Sequence, residues 1–343
     1  MKAVQIVAIG RPLESREIAR PTPGPGEVLV KVSAAGICHS DAHYRAGTSG
    51  VGFLPITPGH EIAGVIAEVG SGVDGIPVGS RVALHYLFTC GQCEYCTSGL
   101  EQFCRTGKMV GKHLNGGYAE YVIAPARNAI RIGDSVSDAA AAIMMCSSAT
   151  AFHALSKARM SPGDSVAVFG AGGLGMSAIQ LARACGASDV FAVDIDSEKL
   201  KEAERYGARP INPTDGAPEV QIRDMTAGRG VDVALEFAGL PVTQEQAILS
   251  LGVQGRVALA GIGSRPFTVA GYPTLINREV EIVGVSDHLR SELVILMDFA
   301  QRGLLDLESV VTDRIGLDAD QINSRLDALA EFHGKTRTVI VPS

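Results

Sequence analysis

The 343-residue chain contains no tryptophan, so no site in this protein is lined by an indole ring. Its 30 Lys and Arg residues are outnumbered by 37 Asp and Glu residues, which gives a formal net charge of −7. That balance argues against a nucleic-acid partner, because such a partner requires a basic face. The longest apolar run, Ala139 to Cys146, is much shorter than the roughly 20 residues of a membrane-spanning helix.

The amino terminus also lacks the pattern of a secretory signal peptide. Residues 1–7 lack a positively charged segment followed by an apolar segment and a cleavage site. We therefore expect a cytoplasmic protein with no membrane partner. In that compartment the seven cysteines are predicted to be reduced thiols or metal ligands rather than disulfides.

The chain is long enough for two domains. The pattern of predicted secondary structure changes near residue 147. The first third has short strand-like runs, such as residues 27–32, which are separated by glycine and proline. Beyond residue 147, apolar strands alternate with helices, which is typical of a parallel, doubly wound sheet. The sequence therefore predicts an α/β protein with an irregular β domain and a doubly wound domain. A helix over Ser291–Arg302 and a strand over Thr336–Val341 are predicted near the carboxyl end.

A glycine-rich loop follows the apolar strand Ser165–Phe169 and precedes a predicted helix. Its G-x-G-x-x-G spacing, with Asp194 at the end of the next strand, predicts a dinucleotide site. The carboxylate of Asp194 would accept hydrogen bonds from the adenosine ribose and repel a 2′-phosphate, so NAD is expected rather than NADP. Ser197 is predicted to cap the following helix. The predicted cofactor-binding residues are Gly170, Gly172, Gly173, Leu174, Gly175, Asp194 and Lys199.

Two alternatives to the dinucleotide site stay open at this point. The glycines could serve only the packing of a strand–turn–helix unit. Asp194 could be a solvated residue that caps the next helix.

Four cysteines follow the pattern C-x2-C-x2-C-x7-C, at Cys90, Cys93, Cys96 and Cys104. Neighbouring thiols in this spacing rarely reach disulfide geometry, whereas four thiolates in a turn-rich segment can close a tetrahedral zinc site. A zinc site with four protein ligands has no open position and is therefore structural. The competing interpretation of the four cysteines is a redox-active CxxC pair. Cys38, His60 and Cys146 have the chemistry of a second metal site.

Five motifs, in order along the chain, closely resemble those of the zinc-dependent medium-chain alcohol dehydrogenases. They are Gly36–Asp41, Gly59–Glu61, the four-cysteine segment, Gly116–Tyr121 and the glycine-rich loop. The resemblance implies a GroES-like catalytic domain of residues 1–147 and 286–343, with a structural zinc lobe at 90–104. It implies a Rossmann NAD-binding domain of residues 148–285, and two zinc ions per chain.

By this resemblance, Cys38, His60 and Cys146 are expected to bind a catalytic zinc ion and to leave one position for water or substrate. Relatives of the sorbitol type place a carboxylate near the third position, so Cys146 favours the alcohol branch. Glu61 is expected to lie close enough to approach the metal. Asp41 is expected to orient His60 through its far ring nitrogen.

The resemblance also assigns proton-transfer and further cofactor residues. Ser40 would take the proton of the zinc-bound alcohol, and His43 would pass it to solvent through the nicotinamide ribose. His39 and Arg337 would face the cofactor pyrophosphate, and Ile262 would contact the cofactor. Zinc would act as a Lewis acid, and the cofactor would carry the hydride.

The substrate is the least determined part of the prediction. Tyr86 and Phe53 are expected to line the substrate pocket, and the glycine-rich segment around Phe53 suggests room for bulky alcohols. The alternative is that this segment is merely a surface loop. The expected reaction is reversible hydride transfer between an alcohol and NAD to give an aldehyde or ketone, with a primary alcohol favoured.

Two other functions remain as alternatives, and an oligomer is expected. A polyol or other secondary-alcohol dehydrogenase would use the same machinery. A non-catalytic nucleotide-binding or zinc-ribbon protein would keep Cys38, His60 and Cys146 apart. By resemblance, the strands at 256–262 and 281–285 are expected to join chains into a homo-oligomer by extending the sheet from one chain to the next. A tetramer is favoured over a dimer.

Overall fold

The computed structural model describes residues 1–331 and 335–342. The chain forms two compact units. Unit 1 comprises Met1–Cys146, Leu289–Arg302 and Leu307–Ser343, and unit 2 comprises Ser147–His288 and Gly303–Asp306.

The strands of the described residues are β1 (Lys2–Gln5), β2 (Glu14–Glu17), β3 (Glu27–Ile37), β4 (Glu61–Val69), β5 (Arg81–Leu84), β6 (Leu87–Phe88), β7 (Lys108–Met109), β8 (Tyr121–Pro125), β9 (Ala129–Arg131), β10 (Ser165–Phe169), β11 (Asp189–Val193), β12 (Arg209–Ile211), β13 (Val231–Glu236), β14 (Leu251–Leu259), β15 (Glu281–Gly284), β16 (Asp313–Ile315) and β17 (Thr338–Ile340). The α-helices are α1 (His39–Ala46), α2 (Glu94–Thr97), α3 (Asp138–Ile143), α4 (Ala149–Lys157), α5 (Gly173–Ala184), α6 (Ser197–Arg205), α7 (Pro218–Met225), α8 (Pro241–Leu249), α9 (Arg290–Gln301) and α10 (Ala319–Ala330).

Unit 1 is built around a mostly antiparallel sheet with the strand order β16-β17-β3-β4-β5-β9, in which β8 also pairs with β3. The pairing of β3 with β4 sets Gly36 opposite Glu61. Cys38 lies two residues beyond Gly36, and His60 lies one residue before Glu61. This register brings Cys38 and His60 to the same end of the sheet, although 22 positions separate them along the chain.

Unit 2 contains a parallel sheet with the strand order β12-β11-β10-β13-β14-β15. Every residue of β10 is buried, as expected for a strand covered on both faces. The order reverses at β10, and the carboxyl ends of parallel strands at such a reversal form the usual nucleotide-binding edge. The sheet confirms the predicted α/β class.

The ends of helix α5 and strand β10 are packed too closely for any side chain at Gly175. A Cβ atom there would lie 2.0 Å from the carbonyl oxygen of Gly170. Gly170 itself has a φ of 95°, in the region that glycine adopts freely. The tight turn therefore favours glycine at position 170, and the helix–strand contact requires it at position 175.

The predicted cap of α6 is wrong by one residue. Asp196 precedes the helix, and its side chain accepts hydrogen bonds from the amides of Glu198 at 2.9 Å and Lys199 at 3.4 Å. Ser197 is the first helical residue. Both residue types are good caps, and the aspartate one position earlier satisfies the first free amides.

The helical stretch Asp138–Lys157 is long and apolar enough to cross a membrane, with 20 residues and a mean hydropathy of 1.3. However, 83% of its most apolar window is buried inside the protein. Burial of that kind is typical of a core helix. The stretch contains a π-helical turn at Met144–Ser148, which is where Cys146 lies; such turns are frequent at functional sites.

Candidate functional site

The four-cysteine segment folds into one compact cluster in unit 1. The Sγ–Sγ distances are 3.6 Å for Cys93–Cys96, and 3.9 Å for both Cys90–Cys96 and Cys93–Cys104. Four sulfurs at about 2.3 Å from one zinc ion lie about 3.8 Å apart in a tetrahedron, so the cluster fits zinc. A disulfide would need a sulfur separation of about 2.05 Å, and all seven cysteines are free.

The backbone around these cysteines favours thiolates. The amides of Gln92 and Cys93 point at the Cys90 sulfur, at 3.4 Å and 3.3 Å. These two amides lower the pKa of Cys90. Because zinc binds the thiolate and not the thiol, this arrangement prepares the segment for metal.

A second group of potential ligands lies in the interior of unit 1. Cys38, His60, Glu61 and Cys146 are buried, and one ligand atom from each lies within 4.8 Å of the others. Two sulfurs, one imidazole nitrogen and one carboxylate oxygen are zinc-type donors. The structure therefore brings together the three residues predicted to be ligands, and it contradicts the scaffold hypothesis, which required them to stay apart.

Asp41 lies behind this cluster and contacts His60. Its Oδ1 atom is 3.6 Å from the Nδ1 atom of His60 and accepts a hydrogen bond from the amide of Gly59 at 3.3 Å. Its Oδ2 atom accepts from the amide of Cys38 at 3.0 Å and from the hydroxyl of Tyr118 at 2.9 Å. Asp41 therefore lies on the Nδ1 side of His60, at a separation longer than a hydrogen bond, and its orienting role stays a prediction.

The charges in the cluster also fit a cation. Hydrogen bonding with Cys146 holds the pKa of Cys38 well below its usual value, in spite of burial, and His60 acts in the same direction. Burial lowers the pKa of His60, but Asp41 and Cys38 outweigh it and raise that pKa to about 10. Without a metal, the protonated imidazole would balance the thiolate. Glu61 Oε1 is buried with no hydrogen-bond partner among the described residues, as expected for an oxygen beside a metal position.

Arg337 was predicted to face the cofactor pyrophosphate, and the structure gives it an additional partner. Its guanidinium pairs with the carboxylate of Glu61, and both side chains are buried. A Cβ atom at Gly36 would lie 3.0 Å from Arg337 Nη2 and would collide with Glu61 Oε2. Glycine at position 36 thus leaves space for the ion pair. The contact of Arg337 with the cofactor stays a prediction.

The predicted proton-transfer residues share helix α1. The Oγ atom of Ser40 lies 3.7 Å from the sulfur of Cys38, so the hydroxyl is next to the metal cluster. The Nδ1 atom of His43 lies 3.0 Å from the hydroxyl oxygen of Thr48, a partner that the sequence analysis did not identify. The rings of His39 and His43 stack, with centroids 4.9 Å apart.

The two predicted pocket residues differ in their surroundings. Tyr86 is buried, and its ring packs edge-on against His60 with centroids 5.2 Å apart. Phe53 is 44% exposed, which is what the surface-loop alternative expects. Tyr86 is therefore close to the metal cluster, and the pocket role of Phe53 stays a prediction.

In unit 2, Asp194 lies beside the glycine-rich loop. Its Oδ2 atom accepts from the amide of Ala171 at 2.7 Å, and its Oδ1 atom accepts from the amide of Asp196 at 2.9 Å. Asp196, and not Asp194, caps α6, so the capping alternative for Asp194 is wrong. Lys199 has its Nζ atom 3.9 Å from Asp196 Oδ2, and Ile262 is 66% exposed.

Glu236, at the end of β13, is a buried residue that the sequence analysis missed. Its Oε1 atom accepts from the amides of Ala238 and Gly239 and from the hydroxyl of Thr243, at 2.7–2.9 Å. Its backbone oxygen accepts from the amides of Ala260 and Gly261. Glu236 therefore ties together the loops that follow β13 and β14. An acidic residue that ends an apolar strand was the signal in the sequence.

Comparisons with known proteins agree with this geometry. Residues 24–134 match the family model of the alcohol dehydrogenase GroES-like domain, and residues 173–302 match that of the zinc-binding dehydrogenases. The chain is 34% identical to an NAD-dependent alcohol dehydrogenase of Sulfurisphaera tokodaii, with all of both chains covered. It is 32% identical to a sorbitol dehydrogenase of Bacillus subtilis, over 92% of this chain and 90% of the relative.

A solved structure shows the same fold over the whole length. The alcohol dehydrogenase of the archaeon Aeropyrum pernix is 32% identical, with a TM-score of 0.90 and all of both chains covered. The family models together cover more than half of the sequence. The fold thus consists of the predicted GroES-like and Rossmann-like domains, and the chain belongs to the zinc-dependent medium-chain alcohol dehydrogenase family.

Proposed function

We propose that the protein catalyses the reversible NAD-linked oxidation of an alcohol to an aldehyde or ketone at a zinc ion held by Cys38, His60 and Cys146. The main support for this proposal is that these three side chains lie close together in the protein interior. The chain also matches the models of both family domains. The NAD-dependent alcohol dehydrogenase of S. tokodaii supports the choice of cofactor and of substrate class.

When bound, zinc supplies Lewis acidity that makes the hydroxyl of the alcohol more acidic. The chain itself would hold the metal through two thiolates and one imidazole, with Asp41 fixing the orientation of His60. Ser40 would accept the proton of the alcohol, since its hydroxyl lies beside Cys38. His43, held by Thr48, would carry the proton onwards.

Glu61 and Arg337 are proposed to adjust the charge at this site. Glu61 belongs to the buried group of potential ligands, and its Oε2 atom pairs with Arg337. His39 and Arg337 remain our candidates for the cofactor pyrophosphate, together with the glycine-rich loop at the start of α5.

The four-cysteine segment is proposed to hold a second, structural zinc ion, which makes two zinc ions per chain. We also propose that the protein is cytoplasmic and that a primary alcohol is its substrate. A polyol or other secondary-alcohol dehydrogenase is the second candidate, because the sorbitol dehydrogenase of B. subtilis is similar over most of its length.

Two measurements test this proposal together. Metal analysis of the purified protein should find about two zinc ions per chain. NAD-linked activity measured over a panel of primary, secondary and polyhydric alcohols should identify one class by its kcat/KM. One zinc ion per chain and no activity with any member of the panel would contradict the proposed function.

Replacement of His43 by glutamine should lower the rate of alcohol oxidation. A positioned general base typically contributes about 10²–10⁴-fold, and we expect about a hundredfold or less because Ser40 and water can still move the proton. The loss should grow as the pH falls, because hydroxide becomes scarce as a substitute acceptor. The measurement is the pH dependence of kcat and kcat/KM. An unchanged profile would remove His43 from the proton path.

The protein is also expected to form a homo-oligomer, and a tetramer is our proposal. Strand β15 is one edge of the parallel sheet, and exposed apolar side chains lie in it and in the segment before it, including Ile282 at 38% and Ile276 at 66%. Exposed edges and apolar patches of this kind favour association. Light scattering at micromolar concentration should give the mass of four chains, and a monomer mass would contradict the expectation.

A further inference from the structure

We propose that Tyr118 is a positioning residue for the metal cluster, acting on His60 through Asp41. The inference rests on the proposed zinc site at Cys38, His60 and Cys146. Its basis is the hydrogen bond from the Tyr118 hydroxyl to Asp41 Oδ2, at 2.9 Å. Both side chains are fully buried.

The hydroxyl of Tyr118 completes the set of donors around Asp41. Among the described residues, the other hydrogen-bond donors to this carboxylate are the backbone amides of Cys38 and Gly59. Tyr118 and the Cys38 amide both hold Oδ2, while Oδ1 faces His60 Nδ1. Two donors on Oδ2 restrict rotation of the carboxylate and so keep Oδ1 directed at the imidazole.

Tyr118 is itself fixed by the segment that carries His60. Its amide donates to the carbonyl of Pro58 at 3.1 Å, and its carbonyl accepts from the amide of Val4 at 2.8 Å. Its ring lies against Gly59, where a Cβ atom would be 2.3 Å from Tyr118 Cδ1. Tyr118 therefore contacts the backbone immediately before His60 as well as the carboxylate behind it.

The hydroxyl is suited to a donor role that persists across the working pH range. Burial raises the pKa of Tyr118 well above its usual value, and Asp41 raises it further. A tyrosine hydroxyl that keeps its proton can donate to the carboxylate throughout. Phenylalanine at this position would keep the ring packing against Gly59 and lose only this bond.

The test is the release of zinc from the full-length protein carrying Tyr118→Phe, followed with a colorimetric chelator. Partners of metal ligands typically contribute about 10–100-fold to metal affinity, and Tyr118 acts one contact further out, so we expect about threefold to tenfold faster release. The phase that belongs to the catalytic site is identified as the one missing in Cys146→Ala. Release from the four-cysteine segment should not change.

Tyr44→Phe is the matched control. Tyr44 is also buried, its ring centroid lies 6.3 Å from that of His60, and its hydroxyl donates to the sulfur of Met109 at 3.2 Å. This variant loses a buried hydroxyl near the cluster without removing a donor from Asp41. It should release zinc at the wild-type rate.

A second variant and a spectrum keep the proposal testable if Tyr118→Phe is poorly folded. Asp41→Asn should accelerate release at least as much, and adding Tyr118→Phe to it should cause no further acceleration. In cobalt-substituted protein, the absorption bands of the catalytic site should shift in Tyr118→Phe but not in Tyr44→Phe. Wild-type release and an unshifted spectrum in Tyr118→Phe, or an equal effect of Tyr44→Phe, would overturn the proposal. Wild-type protein that holds zinc only at the four cysteines would instead refute the proposed function.

Discussion

Cys146→Ala is expected to abolish turnover with little change in melting temperature, whereas Cys93→Ala is expected to destabilise the protein. Each variant removes one sulfur from a cluster of four potential ligands, so the two changes are chemically matched. Cys146 belongs to the buried cluster that also contains Cys38 and His60. Loss of the metal there removes several kcal/mol of transition-state stabilisation, a decrease of at least about 10³-fold in kcat/KM.

Cys93 belongs to the four-cysteine cluster, where a bound structural zinc ion is expected to contribute to folding. Structural zinc in small isolated domains contributes about 10–16 kcal/mol at neutral pH. The four-cysteine segment also packs on the rest of unit 1, so we expect a smaller loss, on the order of several kcal/mol of unfolding free energy. The half-exposed positions of the four cysteines imply that little apolar burial compensates for a lost ligand.

The measurements for this pair are zinc content, melting temperature and kcat/KM with one alcohol. Each variant should lose about one zinc ion per chain. Full activity in Cys146→Ala, or equal loss of melting temperature with activity retained in both variants, would contradict the assignment of the two clusters. Cys185→Ala is a control outside both clusters, since Cys185 belongs to neither.

The second large effect is expected at Asp194, which should determine the choice of cofactor. Its carboxylate is fixed by two backbone amides beside the glycine-rich loop, at the strand end where the adenosine ribose lies in this fold. Hydrogen bonds from ribose hydroxyls to a charged acceptor contribute roughly 1.5–3 kcal/mol each. The 2′-phosphate of NADP could not form these hydrogen bonds and would be repelled by the carboxylate. Lys199 offers little compensation because it lies close to Asp196.

Wild-type protein should therefore favour NAD over NADP by at least about tenfold in kcat/KM, which requires only about 1.4 kcal/mol. Asp194→Ser should weaken the use of NAD and improve the use of NADP. Asp194→Asn is the matched variant, because it keeps the size of the side chain and removes its charge. A wild-type preference for NADP, or an Asp194→Ser variant with unchanged preference, would show that Asp194 does not have this role.

The sequence was most informative where function depends on short spacing. The glycine-rich loop predicted the turn before α5 because a close helix–strand contact requires glycine at 175. The spacing of Cys90 to Cys104 predicted the cysteine cluster because those ligands converge within one local segment. The helix over residues 291–302 and the strand near the carboxyl end were located to within one or two residues at each end, from the apolar pattern alone.

Contacts between residues far apart along the chain could not be predicted from the sequence. The Glu61–Arg337 pair joins residues 276 positions apart, and the Tyr118–Asp41 bond joins residues 77 positions apart. Neither pair has a periodicity or a spacing that marks it. The register of β3 and β4, which brings Gly36 opposite Glu61, determines both the space for the ion pair and the approach of Cys38 to His60. Ser and Asp are nearly equivalent as helix caps, so residue type alone does not distinguish Ser197 from Asp196, which the structure shows to be the cap of α6.

Anomalous diffraction at the zinc absorption edge, from crystals of the purified full-length protein, is the most direct test of the central claim. We predict two anomalous peaks per chain. One should lie among the sulfurs of Cys90, Cys93, Cys96 and Cys104. The other should lie within bonding distance of Cys38 Sγ, His60 and Cys146 Sγ. A single peak at the four cysteines, with no zinc bound by Cys38, His60 and Cys146, would contradict the proposed catalytic site.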